Sequence, residues 1–387
     1  MSKAESSLFP HITREDAPYR TTGILPAQMI RMLLDAKRID AAETVDEEQI
    51  QPASIDLRLG EVAYRVRASF LPGRDCTVQK KISDLLMARV DLTGGALFEK
   101  GCVYIVPLME ELHLPRNVSA KANPKSTTGR LDIFTRLITD FGAEFERVGP
   151  GYRGKLYAEI VSRTFTIKIR TGMRLNQLRF IRGNPPSHDG TLAELDEKEN
   201  LVYENEESPA RANIERGLRL AVKLLAGNES EKVAYKAKKN APAVDLDKRD
   251  YYQPNDFWDA VYSPPTGGII LDPGDFYLLA SKERIRVPPE YAAEMVPFDA
   301  SIGEFRVHYA GFFDPGFGYG LSDIPGTVAV LEVRAHEVPI LIEHGQVVGR
   351  LEYSPMVERP DKIYGIQIGS SYQMQGLALS KQFKRSG

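Results

Sequence analysis

The residues with the clearest chemical potential lie in PKSTTGR, Pro124 to Arg130, where two cations, three hydroxyls and a glycine share seven positions. Lys125 and Arg130 supply charge, Ser126, Thr127 and Thr128 supply donors, and Gly129 lets the backbone come close to an anion, as phosphate-holding loops require. The spacing is not that of a Walker loop, and a solvated turn between strands is the alternative for these residue types. Two carboxylates add to the inventory: Glu159 in LYAEIVS and Glu332 in AVLEVRA each sit inside a strand-like run. A carboxylate there is turned outward, paired with an arginine, or held in an apolar pocket where its pKa rises and it can activate water. A zinc site needs clustered His and Cys ligands, whereas the six histidines and two cysteines here, Cys76 and Cys102, show no such spacing. No GxSxG stretch or Cys–His signature points to a nucleophile.

These residues belong to a chain that repeats itself. KGCVYIVPLMEELHLPRNVSAKANP (100–124) aligns without gaps with PGDFYLLASKERIRVPPEYAAEMVP (273–297) at an offset of 173, EVAYRVR is echoed by KVAYKAK, and Glu159 meets Glu332 at the same 173. The copies diverge at polar positions. PFDASIG stands opposite PKSTTGR, so Ser126 faces Asp299 and Arg130 faces Gly303, Gln177 corresponds to Arg350, and Gly149 replaces Asp314. One copy keeps a polar cradle that the shared scaffold does not need.

The 387 residues suggest two cores, with 42% hydrophobic and 27% charged residues giving enough apolar surface for globular domains. A net charge of −3 provides no general field for a polyanion, so nucleic acid is not expected as a partner. The N-terminus lacks the apolar core of a signal peptide and no run nears the roughly 20 apolar residues of a membrane span, which predicts a cytoplasmic protein with no membrane partner and free thiols. Short alternating segments such as LRLAVKL and FTIKIR predict a mainly β fold, with one clear helix in PAQMIRMLLDAKRI (26–39). The expected organisation is a first domain over 1–185, an exposed acidic linker over 186–209, and a second domain over 210–387.

In order along the chain, QPASIDLRLG (51–60), KSTTGR, PGYRGKLYAEIVS, GMRLNQLRF and IYGIQIGSSYQMQGLALS (363–380) resemble the dCTP deaminase branch of the dUTPase-like superfamily, in its long, duplicated bacterial form. The resemblance implies two tandem distorted β-barrels of the β-clip type with few short helices, an active site between neighbouring units, and a homo-oligomer, a trimer or a multiple of one. It also implies hydrolysis of dCTP to dUTP and ammonia without zinc, in supply of dUMP and dTTP, with Mg2+ riding on the triphosphate and no cofactor bound by protein side chains. In the family's phosphate segment RSSLAR, Lys125 stands for the first arginine, Ser126 and Thr127 for the serines and Arg130 for the last arginine. Glu159 falls at the water-activating glutamate and Gln177 at a glutamine near the phosphates. Tyr364 and Tyr372 fit the segment that closes over the nucleotide, although an expected lysine there reads Ser371. The family's DPG turn is GPG at Gly149 and DPG at Asp314.

Two arrangements follow. In the favoured one, first copies complete sites among themselves with Ser126, Arg130 and Glu159, since that copy holds every candidate except the aspartate. In the other, the cradle of the first copy faces Asp314 and Glu332 of the second. A dUTP pyrophosphatase, a bifunctional enzyme and a non-catalytic nucleotide-binding regulator are the alternative functions.

Overall fold

The computed structural model describes residues 20–296, 311–335, 337–365 and 376–385, together with the backbone of 305–307. The fold is mainly β, as the alternation predicts, and forms two β-barrel units in tandem. In the first, strands Arg174–Arg182 and Val118–Pro124 lie side by side in one sheet, and Val103–His113, Arg153–Ser162 and, at the edge, Ile133–Thr139 run in that order in another. In the second unit, Val347–Pro355 pairs with Tyr291–Val296, and Thr327–Ala335 pairs with Phe276–Ile285. The registers agree between units: Glu159 lies opposite Ile105 as Glu332 lies opposite Leu278.

The units are not beads on a string. Strand Val244–Asp245 pairs in parallel with Ile167–Ile169 of the first barrel. Phe165 meets Phe257 and Trp258 edge-on, with centroids 5.8 and 5.5 Å apart, inside one continuous apolar core. Aromatic burial on this scale makes the boundary between the units a packed interface, so a cleft along it is preformed.

The helix expected over 26–39 is Ala27–Asp35, with Pro26 at its N-cap and Met29, Ile30 and Leu33 buried. It stops early because Lys37 turns to φ 51° and the chain enters strand Ile39–Ala41. The acidic segment 186–209 departs from its expectation as an exposed linker. It folds onto the second barrel as helix Asp189–Glu199, with Leu192 and Leu195 buried, followed by strand Val202–Tyr203. Its acids serve as backbone acceptors: Asp189 takes N–H bonds from Arg216 and Gly217 at 2.6 and 2.8 Å, and Asp196 takes those of Leu201 and Ala212. We predict that Leu195→Ala lowers the stability by about 2–3 kcal/mol, read from denaturant midpoints, as a core truncation does and a linker substitution does not.

Cys76 and Cys102 are free thiols. Among the described residues no helix is long and apolar enough to cross a membrane.

Candidate active site

A cleft of about 1040 Å³ opens where the two units meet. The first unit supplies its anion-binding wall. Strand Val118–Pro124 delivers Lys125 into a single helical turn, Ser126–Gly129, while strand Arg174–Arg182 runs alongside with Gln177 opposite Asn123. The turn is pinned to that neighbour by the Lys125 N–H, which donates to the Leu175 carbonyl at 2.9 Å, and by the Thr128 hydroxyl, which donates to the same carbonyl at 3.1 Å. Thr128 is therefore engaged in structure, and Ser126 is the exposed hydroxyl of the three. Lys125 is ion-paired with Asp56, and burial pushes the Asp56 carboxyl up while Lys125 pulls it back.

The C-terminal segment returns to this cradle. Arg130, itself buried, donates to the Ala378 carbonyl at 3.0 Å, and the Ser380 hydroxyl donates to the Thr127 carbonyl at 2.9 Å. These contacts bring Lys381 to the cleft, whose lining also holds Arg174, Arg249 and Lys362. Burial, and then the charges of Arg249 and Lys125, hold the Lys381 ammonium below the usual lysine range. Two of the causes are cations, Arg249 and Lys125, which together with Lys381 can meet a polyanion that displaces their acidic partners.

The second unit supplies the opposite wall. Glu332, on strand Thr327–Ala335, is 6% exposed and lines the cleft. Burial pushes its carboxyl up to about 8, with the Arg130 cation pulling it down and Asp132 adding to the rise. Asp314 also lines the cleft but is paired with Arg179 of the first unit at 3.1 Å, the guanidinium of which lies 4.0 Å over the Phe312 ring. Burial raises the Asp314 carboxyl against the pull of Arg179. The turn after Asp314 needs glycine, because Gly316 has φ 95° and a Cβ there would lie 2.1 Å from Ile363. That close approach seats Tyr364, whose N–H donates to the Pro315 carbonyl at 2.9 Å while its ring meets Phe317.

A phosphate cradle from one barrel and a buried carboxylate from the next lie on either side of one cleft. A family model described as the 2'-deoxycytidine 5'-triphosphate deaminase N-terminal domain matches residues 21–184, and its C-terminal counterpart matches residues 188–383. The chain belongs to the dCTP deaminase family. Among solved structures, that of 2'-deoxycytidine 5'-triphosphate deaminase from Agrobacterium tumefaciens is 50% identical, with a TM-score of 0.82 over 87% of this chain and 100% of that one. A dUMP-forming dCTP deaminase of Nanoarchaeum equitans is 28% identical over 43% of this chain and 87% of its own length. A dCTP deaminase of Halorubrum lacusprofundi is 26% identical over 46% and 82%. Both of these relatives match less than half of the present chain.

Within this member of the dCTP deaminase family, Ser126, Arg130, Glu332, Lys125, Thr127, Gln177, Asp314 and Tyr364 all line the cleft. Glu159 does not. It lies directly across the strands from Arg136, which donates to its Oε1 from Nε at 2.9 Å and stacks 3.9 Å over Phe145. Within one chain the cradle faces Glu332 and Asp314 of the second unit, the second of the two arrangements, whereas the favoured one joins first copies of different chains. Arg136 pairs with Glu159, whereas among the described residues Arg130 acts on Glu332 across the cleft. Tyr372, Ser371, Asp299 and Gly303 lie outside the described residues. Among the described residues, no group of three or more His, Cys, Asp and Glu side chains could hold a metal ion. Asp56, Arg174 and Lys381 line the cleft too; Asp56 and Arg174 lie inside QPASIDLRLG and GMRLNQLRF, and Lys381 directly follows the 363–380 segment, but their residue types alone do not tell them from surface charges.

Proposed function

We propose that this chain hydrolyses dCTP to dUTP and ammonia with no metal held by the protein, Mg2+ entering as part of the Mg–dCTP substrate. The observation that carries the reading is the buried Glu332 carboxyl sharing a cleft with Arg130 and a hydroxyl-rich cationic turn. Lys125, Ser126, Thr127, Gln177 and Lys381 bind the triphosphate, and Tyr364 borders the nucleoside. Glu332, protonated below about pH 8, gives its proton to N3 of cytosine; the carboxylate so formed takes a proton from the water that attacks C4. It returns that proton to the amino group, which leaves as ammonia, and the C4 hydroxyl yields its proton to restore neutral Glu332. Arg130 stabilises the carboxylate while it exists.

A dUTP-cleaving activity would call on the hairpin aspartate as base. Asp314 is already committed to Arg179, which supports dUTP rather than dUMP as the product. The same reading places the enzyme in the cytoplasm, in uridylate supply for thymidylate synthesis, as a homo-oligomer. The test is incubation with dCTP and Mg2+ in the presence of a zinc chelator, with the products resolved. We expect dUTP and ammonia in equal amounts. Pyrophosphate with dUMP would make the enzyme bifunctional, and dCTP binding without turnover would leave a nucleotide sensor.

A further inference from the structure

Outside the residues that line the cleft, one buried charge pair joins the units directly behind them. Asp132 lies two positions after Arg130 and is fully buried, and its backbone holds φ 56°, a left-handed conformation that aspartate tolerates better than most non-glycine residues. Its carboxylate accepts from the Thr164 hydroxyl at 2.6 Å and from the Arg334 guanidinium of the second unit. Arg334 lies two positions after Glu332 on the same strand, so the two side chains leave the same face. The guanidinium also donates to Thr164 at 3.0 Å and to the Gly274 carbonyl, and it sits 5.9 Å from the Phe276 ring, its cross-strand neighbour.

We propose that Asp132 and Arg334 are the positioning pair of this active site: a bridge between the units that fixes Arg130 against Glu332 and sets the charge under which Glu332 exchanges its proton. The inference rests on the reading of Glu332 as the proton carrier. Each member is the second residue after one half of the Arg130/Glu332 couple, so locking the pair locks the couple in register across the interface. The pair is 202 residues apart in sequence and both side chains are almost wholly buried, which removes solvent screening and makes loss of either partner costly.

The electrostatics agree. Among the described residues the charges acting on Glu332 from the first unit are Arg130, which lowers its pKa, and Asp132, which raises it; of the two strands beside it, one presents Leu278 and the other, Phe305–Val307, sets Arg306 in register with Arg334. Arg334 stands on its own strand and is neutralised by Asp132. Next to Gly274, Asp275 is itself matched by Lys236 and Lys239 at 2.7 and 3.0 Å.

The test is the pH profile of kcat/KM. Asp132→Asn removes an anion and leaves the Arg334 cation uncompensated, so the alkaline limb should move down by about one pH unit or more. Arg334→Gln leaves the Asp132 anion uncompensated and should move the limb up, and the double variant should return it to the wild-type position. Single variants that lower kcat while the limb stays fixed would overturn the proposal in favour of a structural bridge. If the singles fail to fold, Arg334→Lys keeps the charge but not the fork to Thr164 and Gly274. It should lower kcat at least tenfold with KM changed less than threefold, and an unchanged kcat would also overturn the proposal. A fully active Glu332→Gln would instead defeat the underlying reading of Glu332, which separates the two failures.

Discussion

Glu332→Gln is expected to lower kcat by about 10³-fold while the KM for dCTP stays within a few-fold, because the amide keeps the shape and burial of the side chain and loses its proton exchange. Glu159→Gln is expected to do the reverse: turnover persists and the melting temperature falls, since Arg136 loses the carboxylate it is bonded to. Steady-state kinetics and thermal melts on the two variants, side by side, separate the roles. If Glu332→Gln kept its turnover and Glu159→Gln lost it, the site would pass to Glu159, completed by another copy of the chain. The pH dependence of the wild type should agree. Burial lifts Glu332 from the usual carboxylate range to about 8, so the neutral acid needed for donation to N3 is present below that pH, and kcat/KM should fall with a one-proton slope above it.

The contrast between the two glutamates marks what a single sequence can carry. Strand periodicity, the 173-residue repeat and the residue types in PKSTTGR lead to the fold and to one wall of the site, because these are local patterns with a local physical cause. Which glutamate meets that wall depends on how one barrel docks on the other, and no local pattern encodes docking. Arg136 opposite Glu159 becomes informative only when strand register sets them side by side. The Asp132–Arg334 bridge is invisible for the same reason. The acidic segment misled differently: its charge suggested solvation, but Asp189 and Asp196 serve as backbone acceptors, and Leu192 and Leu195, three residues apart, hold the helix down. Leucines at that spacing were the legible sign of a buried helix face, outweighed by the acidic composition.

Arg130→Ala should cost about 10²–10³-fold in kcat and raise the KM for dCTP as well, because this one guanidinium serves the chemistry and the binding wall together. It is the main cation opposing the burial of Glu332, so its loss pushes the carboxyl above 8 and the alkaline limb of kcat/KM should move upward as the maximum falls. The rate falls although the acid form becomes more abundant, since the carboxylate that takes the proton from water is then formed without its compensating charge. The variant also frees the Ala378 carbonyl that Arg130 holds at 3.0 Å, which loosens the segment carrying Lys381. Arg130→Lys tests the division between these roles: it restores a charge near Glu332 but not the planar fork, so the limb should return towards wild type while kcat recovers in part. A variant series in which KM alone changes, with kcat and the limb fixed, would make Arg130 a phosphate ligand only. The acid–base work would then fall to Glu332 without electrostatic help, a burden that a carboxylate buried to 6% exposure carries poorly.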